Sequence, residues 1–94
     1  MATVKLFGNL RSLAGTSIIL IEADTTVRDL LDKLIGENKT LAAAILDADG
    51  KLRPHYKVMI NGHDMIMMDG LETHVNAEDI IAIFPPVAGG SSFG

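Results

Sequence analysis

The apolar positions of this chain change their period several times, and each change marks an element. Val4 and Leu6 alternate with Thr3 and Lys5, the two-residue period of a strand, as far as Phe7-Gly8. Leu10 to Ala14 reads as a turn or short helical bridge, punctuated by Gly15. Ile18-Ile19-Leu20-Ile21 is unbroken and rich in β-branched residues, the pattern of a strand covered by other elements, and Gly15-Thr16 ahead of it suggests a hairpin with the first strand. Val27, Leu30, Leu31, Leu34 and Ile35 then recur at helical spacing and make one apolar stripe, with Arg28, Asp32 and Lys33 on the other face. Thr26 stands three residues before Asp29, a capping-box arrangement, and Gly36 predicts a left-handed stop.

Asn38 to Leu46 predicts a second, shorter helix, with Leu41 and Ile45 one turn apart and three alanines favouring it. Asp47-Ala48-Asp49-Gly50 is a turn, and Lys57 to Ile60 is a strand. Asn61-Gly62 is the strongest hairpin signal in the chain, because both residues accept the positive φ of a type I′ turn. Asp69-Gly70 and Asn76-Ala77 mark further turns. Ile80-Ile81-Ala82-Ile83-Phe84 is the last strand and so apolar that a central place in the sheet is expected. A helix striped on one face needs a sheet to lie on, so the order of elements predicts a two-layer α+β sandwich with Leu30 and Leu34 in its core.

Composition narrows the picture. The chain has 94 residues, 48% hydrophobic and 21% charged, which suits one small ordered domain. Its aromatic residues are Phe7, Phe84, Phe93 and Tyr56, so the core must be aliphatic. The net charge of −4 argues against non-specific nucleic-acid binding, which needs a basic face. The absence of cysteine excludes disulfides, thiolate nucleophiles, iron–sulfur ligation and a side-chain persulfide. No apolar run has the length of a signal peptide or a membrane span, so a soluble, cytoplasmic protein with no membrane role is expected.

The end of the chain, "FPPVAGGSSFG", divides it into a domain over residues 1–84 and a flexible tail over residues 85–94. Pro85 and Pro86 lack amide hydrogens and have fixed φ, so they end the strand and send the chain outward. Phe84 to Gly90 can reach roughly 20 Å when extended. Gly89 and Gly90 have no Cβ and can thread a channel too narrow for other residues. An idle, floppy end is the competing reading, but it leaves the stiffening prolines without a purpose. Without cysteine, any covalent cargo can sit only on the backbone terminus.

Four stretches, "VKLFGNLRSLAG", "TTVRDLLDKL", "VMINGHD" and "AIFPPVAGG", together resemble the MoaD/ThiS family over residues 3–90. These are ubiquitin-like sulfur carriers of the β-grasp fold, among them the small archaeal modifier proteins. The resemblance implies a mixed sheet of four to five strands packed on one main helix, plus a short second helix. It implies that Phe84, Pro85, Pro86, Val87, Ala88 and Gly89 are recognised by an activating enzyme, which uses ATP to adenylate the Gly90 carboxylate. The acyl-adenylate then becomes a thiocarboxylate, as in the small subunit of molybdopterin synthase, or passes to a lysine of a target protein. The implied partners are the adenylating enzyme and either the molybdopterin synthase large subunit or target lysines. The chain itself carries no catalytic residue, bound cofactor or metal in this reading. A simple interaction module with an unused tail is the remaining alternative.

Two departures from the family pattern stand out. Asn76-Ala77-Glu78-Asp79 lacks the usual glycine, so Asn76 is expected to adopt the left-handed conformation in its place. Ser91-Ser92-Phe93-Gly94 runs past the glycine pair, and while it remains Gly90 holds an amide, which cannot be adenylated. A precursor cut between Gly90 and Ser91 is therefore expected, by a JAMM-type zinc metallopeptidase if the resemblance extends to processing. Phe93 is either an anchor for the leaving segment or an incidental aromatic.

Other features carry less. His55, His63 and His74 have no ligand-like spacing. Among Met59, Met65, Met67 and Met68, Met59 is expected in the core, and the rest are divided between core filling and a docking patch. Lys5, Lys33, Lys39, Lys51 and Lys57 are possible isopeptide acceptors, but solvated charge explains each of them. "GNLRSLAG" lacks the lysine and spacing of a phosphate loop and reads as a turn.

Overall fold

The computed structural model describes residues 1–22 and 24–86. In chain order the elements are β1 (Ala2–Leu6), α1 (Leu10–Ala14), β2 (Ile18–Ile21), β3 (Thr25–Thr26), α2 (Val27–Glu37), α3 (Lys39–Ile45), β4 (Lys57–Ile60), β5 (His63–Asp64), β6 (His74–Val75) and β7 (Ile80–Phe84), with 3-10 turns at Met65–Met67 and Gly70–Glu72. The main sheet runs β2-β1-β7-β4-β5, and β3 pairs with β6 in a separate two-stranded ribbon. β1 and β2 form the expected antiparallel hairpin, with Ala2 opposite Ile21. β7 enters the middle, parallel to β1 and antiparallel to β4, so its central position agrees with its apolar sequence.

One layer of side chains joins the sheet to the helices. Val4 and Leu6 of β1, Val58 and Ile60 of β4, and Ile81 and Ile83 of β7 face inward and are buried. Val27, Leu30, Leu31 and Leu34 of α2 are buried in the same cluster, which Leu10, Leu41 and Ile45 extend through α1 and α3. The helix begins as its sequence implies, with the Asp29 amide donating to Thr26 Oγ1 at 3.2 Å.

Its end is different. Gly36 lies inside α2, and the stop is Asn38, which is extended at φ −145° while its amide still donates to Ile35 O at 3.2 Å. The Asn38 side chain then accepts from the Leu41 amide at 3.0 Å and starts α3. One asparagine closes a helix and opens the next, which leaves no need for a left-handed glycine.

β2 also departs from expectation. It is an edge strand with one covered face, and Ile18 and Leu20 remain 51% and 59% exposed on the other. Met59 lies on the same outer side of its strand, between the buried Val58 and Ile60, and is half-buried; the methionine that fills the core is Met65. Ile66, Met67 and Met68 are exposed.

The Asn61-Gly62 turn has φ values of +51° and +86°, as a type I′ hairpin requires. Asn61 does more than turn the chain. Its Oδ1 accepts from the Ile80 amide at 2.9 Å, its own amide donates to Ile80 O at 2.8 Å, and its Nδ2 donates to Asp79 Oδ1 at 2.9 Å. The second Asp79 oxygen accepts from the Asn76 amide at 2.7 Å. Asn76 is not left-handed: among the described residues other than glycine, only Asp24, His55 and Asn61 have positive φ. The Asp79 carboxylate closes this turn, so the missing glycine is not needed.

Amide donors hold three carboxylates below their ordinary pKa. Asp79 is lowered first by the Asn76 amide and then by the Asn61 side chain. The Lys51 amide is the main cause for Asp47, and the Ile66 amide for Asp64, with Lys57 second. A folded-state pKa below the unfolded one adds stability above the unfolded value, and that stability is lost as pH falls through the folded one. The melting temperature should therefore be flat near neutrality and fall below about pH 4. Asp79→Asn should remove part of that acid dependence. An acid limb unchanged by the substitution would rule Asp79 out as a contributor.

Candidate functional site

The site expected from sequence is the place where the last strand releases the tail. β7 ends at Phe84, opposite Lys57 of β4. The Phe84 ring stacks on Phe7, with centroids 4.3 Å apart and planes inclined by 15°. Such a pair contributes about 0.5–1.5 kcal/mol beyond the burial of its surface. The Phe7 amide donates to Ile83 O at 3.2 Å, so backbone and side chain both tie the end of β1 to the end of β7. Pro85 continues from the strand and is half-buried, with its ring lying against Gly8; Pro86 is exposed. On the other side of these prolines an open cleft of about 550 Å³ is lined by His55, Lys57, Phe84, Pro85 and Pro86.

Phe84, Pro85 and Pro86 are thus brought together at one end of the sheet. Val87, Ala88, Gly89, Gly90 and Ser91 lie outside the described residues. Phe7 and Gly8 belong to the site without having been singled out as part of it. The available signal was that Phe7 is one of three phenylalanines in the chain and directly follows a strand that had to pair with something.

Beside the tail root lies the outer face of the sheet. Strand alternation puts Lys5, Ile18, Leu20, Lys57, Met59, Ile80 and Ala82 on the same side as Phe84. Among the described residues no helix covers this face at its edge, and Ile18, Leu20 and Ile80 keep 51%, 59% and 43% of their surface accessible. Exposed aliphatic positions gathered on one face are the usual mark of a protein-binding surface. Among the described residues, no cluster of three or more histidine, aspartate or glutamate side chains is placed to hold a metal ion. No helix among them is long and apolar enough to cross a membrane.

Comparison with known families matches residues 4–90 to the model of the ThiS family. The chain belongs to the ThiS family. This ThiS-family protein is 35% identical over 89 residues to small archaeal modifier protein 3 of Haloferax volcanii, covering 93% of the chain and 96% of that relative. Its fold is close to the crystal structure of SAMP1 from Haloferax volcanii, with a TM-score of 0.80 and 35% identity over 95% of this chain and 98% of that one. The BexX/CysO complex of Amycolatopsis orientalis contains another neighbour, with a TM-score of 0.77 and 29% identity over 96% of this chain and 100% of that one. The fold is therefore the ubiquitin-like β-grasp, with a five-stranded mixed sheet, a two-stranded ribbon and three α-helices among the described residues. The family is one of small ubiquitin-like sulfur carriers and modifiers.

Proposed function

We propose that this protein is a sulfur carrier whose active group is its own backbone carboxylate at Gly90, freed by a cut between Gly90 and Ser91. The observation that carries the reading is the clamped root of the tail. Phe7 and Gly8 hold the end of β7, and two prolines lead out of the fold beside an open, partly apolar sheet face. That arrangement suits a domain which docks through its sheet while its terminus enters a partner's active site.

In the proposed chemistry an activating enzyme binds the domain and ATP. A Gly90 carboxylate oxygen attacks the α-phosphorus, pyrophosphate leaves, and an acyl-adenylate forms. Sulfur at the sulfide level then attacks the carbonyl carbon and AMP departs, leaving a thiocarboxylate that can serve a synthase such as the molybdopterin-forming one. ATP is used by the partner, and the chain holds no cofactor. The similarity to small archaeal modifier proteins favours a second reading, in which the ε-amine of a target lysine displaces AMP and an isopeptide bond forms. Both readings need the same free carboxylate, and a JAMM-type zinc metallopeptidase is the proposed source of it.

Mass spectrometry of the protein from its own cells tests this. A terminus at Gly90 with one sulfur-for-oxygen exchange is the expected result for a carrier. Target lysines bearing a chain that ends at Gly90 are expected for a modifier. A thiocarboxylate or isopeptide bond at Gly94 of an uncut chain would overturn the assignment of Gly90.

A further inference from the structure

Gly8 stands where the first strand's loop meets the departing tail. A Cβ built on it would lie 2.7 Å from Pro85 Cγ and 3.3 Å from Pro85 Cδ, the first distance shorter than real side chains tolerate. The contact has little room to relax. The Pro85 ring is fused to its backbone, so moving Cγ moves the chain, apart from a small change of pucker. On either side, the Phe7–Phe84 stack and the Phe7 amide bond to Ile83 O fix the backbone. Gly8 also has φ +63°, a conformation costly for most residues.

We propose that Gly8 is a positioning residue: it forms a seat without a side chain that sets the direction in which Pro85 sends the tail from the domain. This rests on the reading that Gly90 is delivered to an activating enzyme. The sheet face governs how tightly the domain docks, and the Pro85 seat governs where the terminus arrives. A displacement at Pro85 moves the point from which the chain leaves the domain, and Gly90 can lie at most roughly 17 Å of extended chain beyond it. Reacting atoms misplaced by about 1 Å can lower a rate by about a hundredfold.

The test compares Gly8→Ala and Gly8→Asn with Gly15→Ala, by enzyme kinetics in the form ending at Gly90 and by resonance spectra in both that form and the full chain. Gly15 shares the left-handed conformation, at φ +78°, but a Cβ there would meet nothing within 4 Å. It therefore controls for backbone strain alone. Asparagine tolerates positive φ and still brings a Cβ, so it separates bulk from strain. With the cognate activating enzyme, both Gly8 variants should lose kcat by at least about tenfold while KM changes by less than about twofold. Gly15→Ala should keep both parameters. Adding Pro85→Ala to Gly8→Ala should restore kcat to that of Pro85→Ala alone, because the ring that is pushed has gone.

A Gly8→Ala enzyme profile equal to that of Gly15→Ala would overturn the proposal, as would a defect that persists without the Pro85 ring. A nuclear Overhauser contact between the Gly8 α-protons and the Pro85 ring gives a readout that needs no enzyme. Shifts of the Pro85 and Pro86 resonances should appear in Gly8→Ala and not in Gly15→Ala. If the wild-type chain ending at Gly90 is never adenylated, the functional reading fails, and these spectra alone decide whether the seat exists; absent contacts and unmoved resonances overturn it.

Discussion

Deleting residues 89–94 should leave the melting temperature within about 2 °C of the parent and abolish the proposed adenylation. The buried cluster is drawn from Ala2 to Ile83, and the clamp on the tail root ends at Pro85. The deletion therefore removes the carboxylate proposed to react while sparing every described contact that holds the domain together. Restoring residues 89 and 90 should restore activity, whereas the chain through Gly94 should stay inert until it is cut, because Gly90 then holds an amide and the free carboxylate sits four residues beyond it. Pyrophosphate release and thermal melts on the three forms are the measurements. A large fall in stability on deletion, or adenylation of the chain lacking both glycines, would contradict the separation of fold from chemistry.

Leu30→Ala should destabilise the protein by about 2–5 kcal/mol. Leu30 is 0% exposed, in the stripe that α2 lays against the inner face of the sheet. Truncation removes the transfer energy of its side chain and leaves a hole that a tightly paired five-stranded sheet cannot collapse to fill. In a domain of this size each kcal/mol lowers the melting temperature by about 4–8 °C, so the variant should melt well below the parent. Arg28→Ala on the outer face is the control. Its bond to Glu72 is 2.7 Å long but joins side chains that are 53% and 63% exposed, and such pairs contribute about 0–1 kcal/mol. Equal melting of the two variants would mean that the stripe faces the wrong way.

The second prediction rests on a part of the molecule that sequence showed well. The stripe of α2, its Thr26 cap, the Asn61-Gly62 hairpin and the central β7 each follow from local rules, and the fold agrees with each of them. Failures came where a local rule had a competitor further along the chain. Gly36 looks like a stop until Asn38 is seen to serve two helices at once. Asn76 is able to turn left-handed, but Asp79 supplies the hydrogen bond that closes the turn without it. The unbroken run of β2 says that both faces are apolar, but it cannot distinguish a second covering layer from an exposed binding surface. In the site, Phe84 and the prolines were legible because they are consecutive. Phe7 and Gly8 were not, because their contacts with Phe84 and Pro85 span the whole domain.

The parallel pairing of β1 with β7 has a further consequence, for how the protein is made. The first strand to leave the ribosome must wait for the last before its inner edge is filled, and β4 waits for the same partner. Until β7 emerges, the main sheet consists of the separate β1–β2 and β4–β5 hairpins beside the short β3–β6 ribbon, joined by helices that have no completed surface to cover. Sheet assembly is therefore a late, nearly all-or-none event of high contact order, slow compared with that of a helical bundle of equal length. A ribosome stalled before Phe84 would display two unpaired strand edges, a substrate for chaperones rather than a partly working domain.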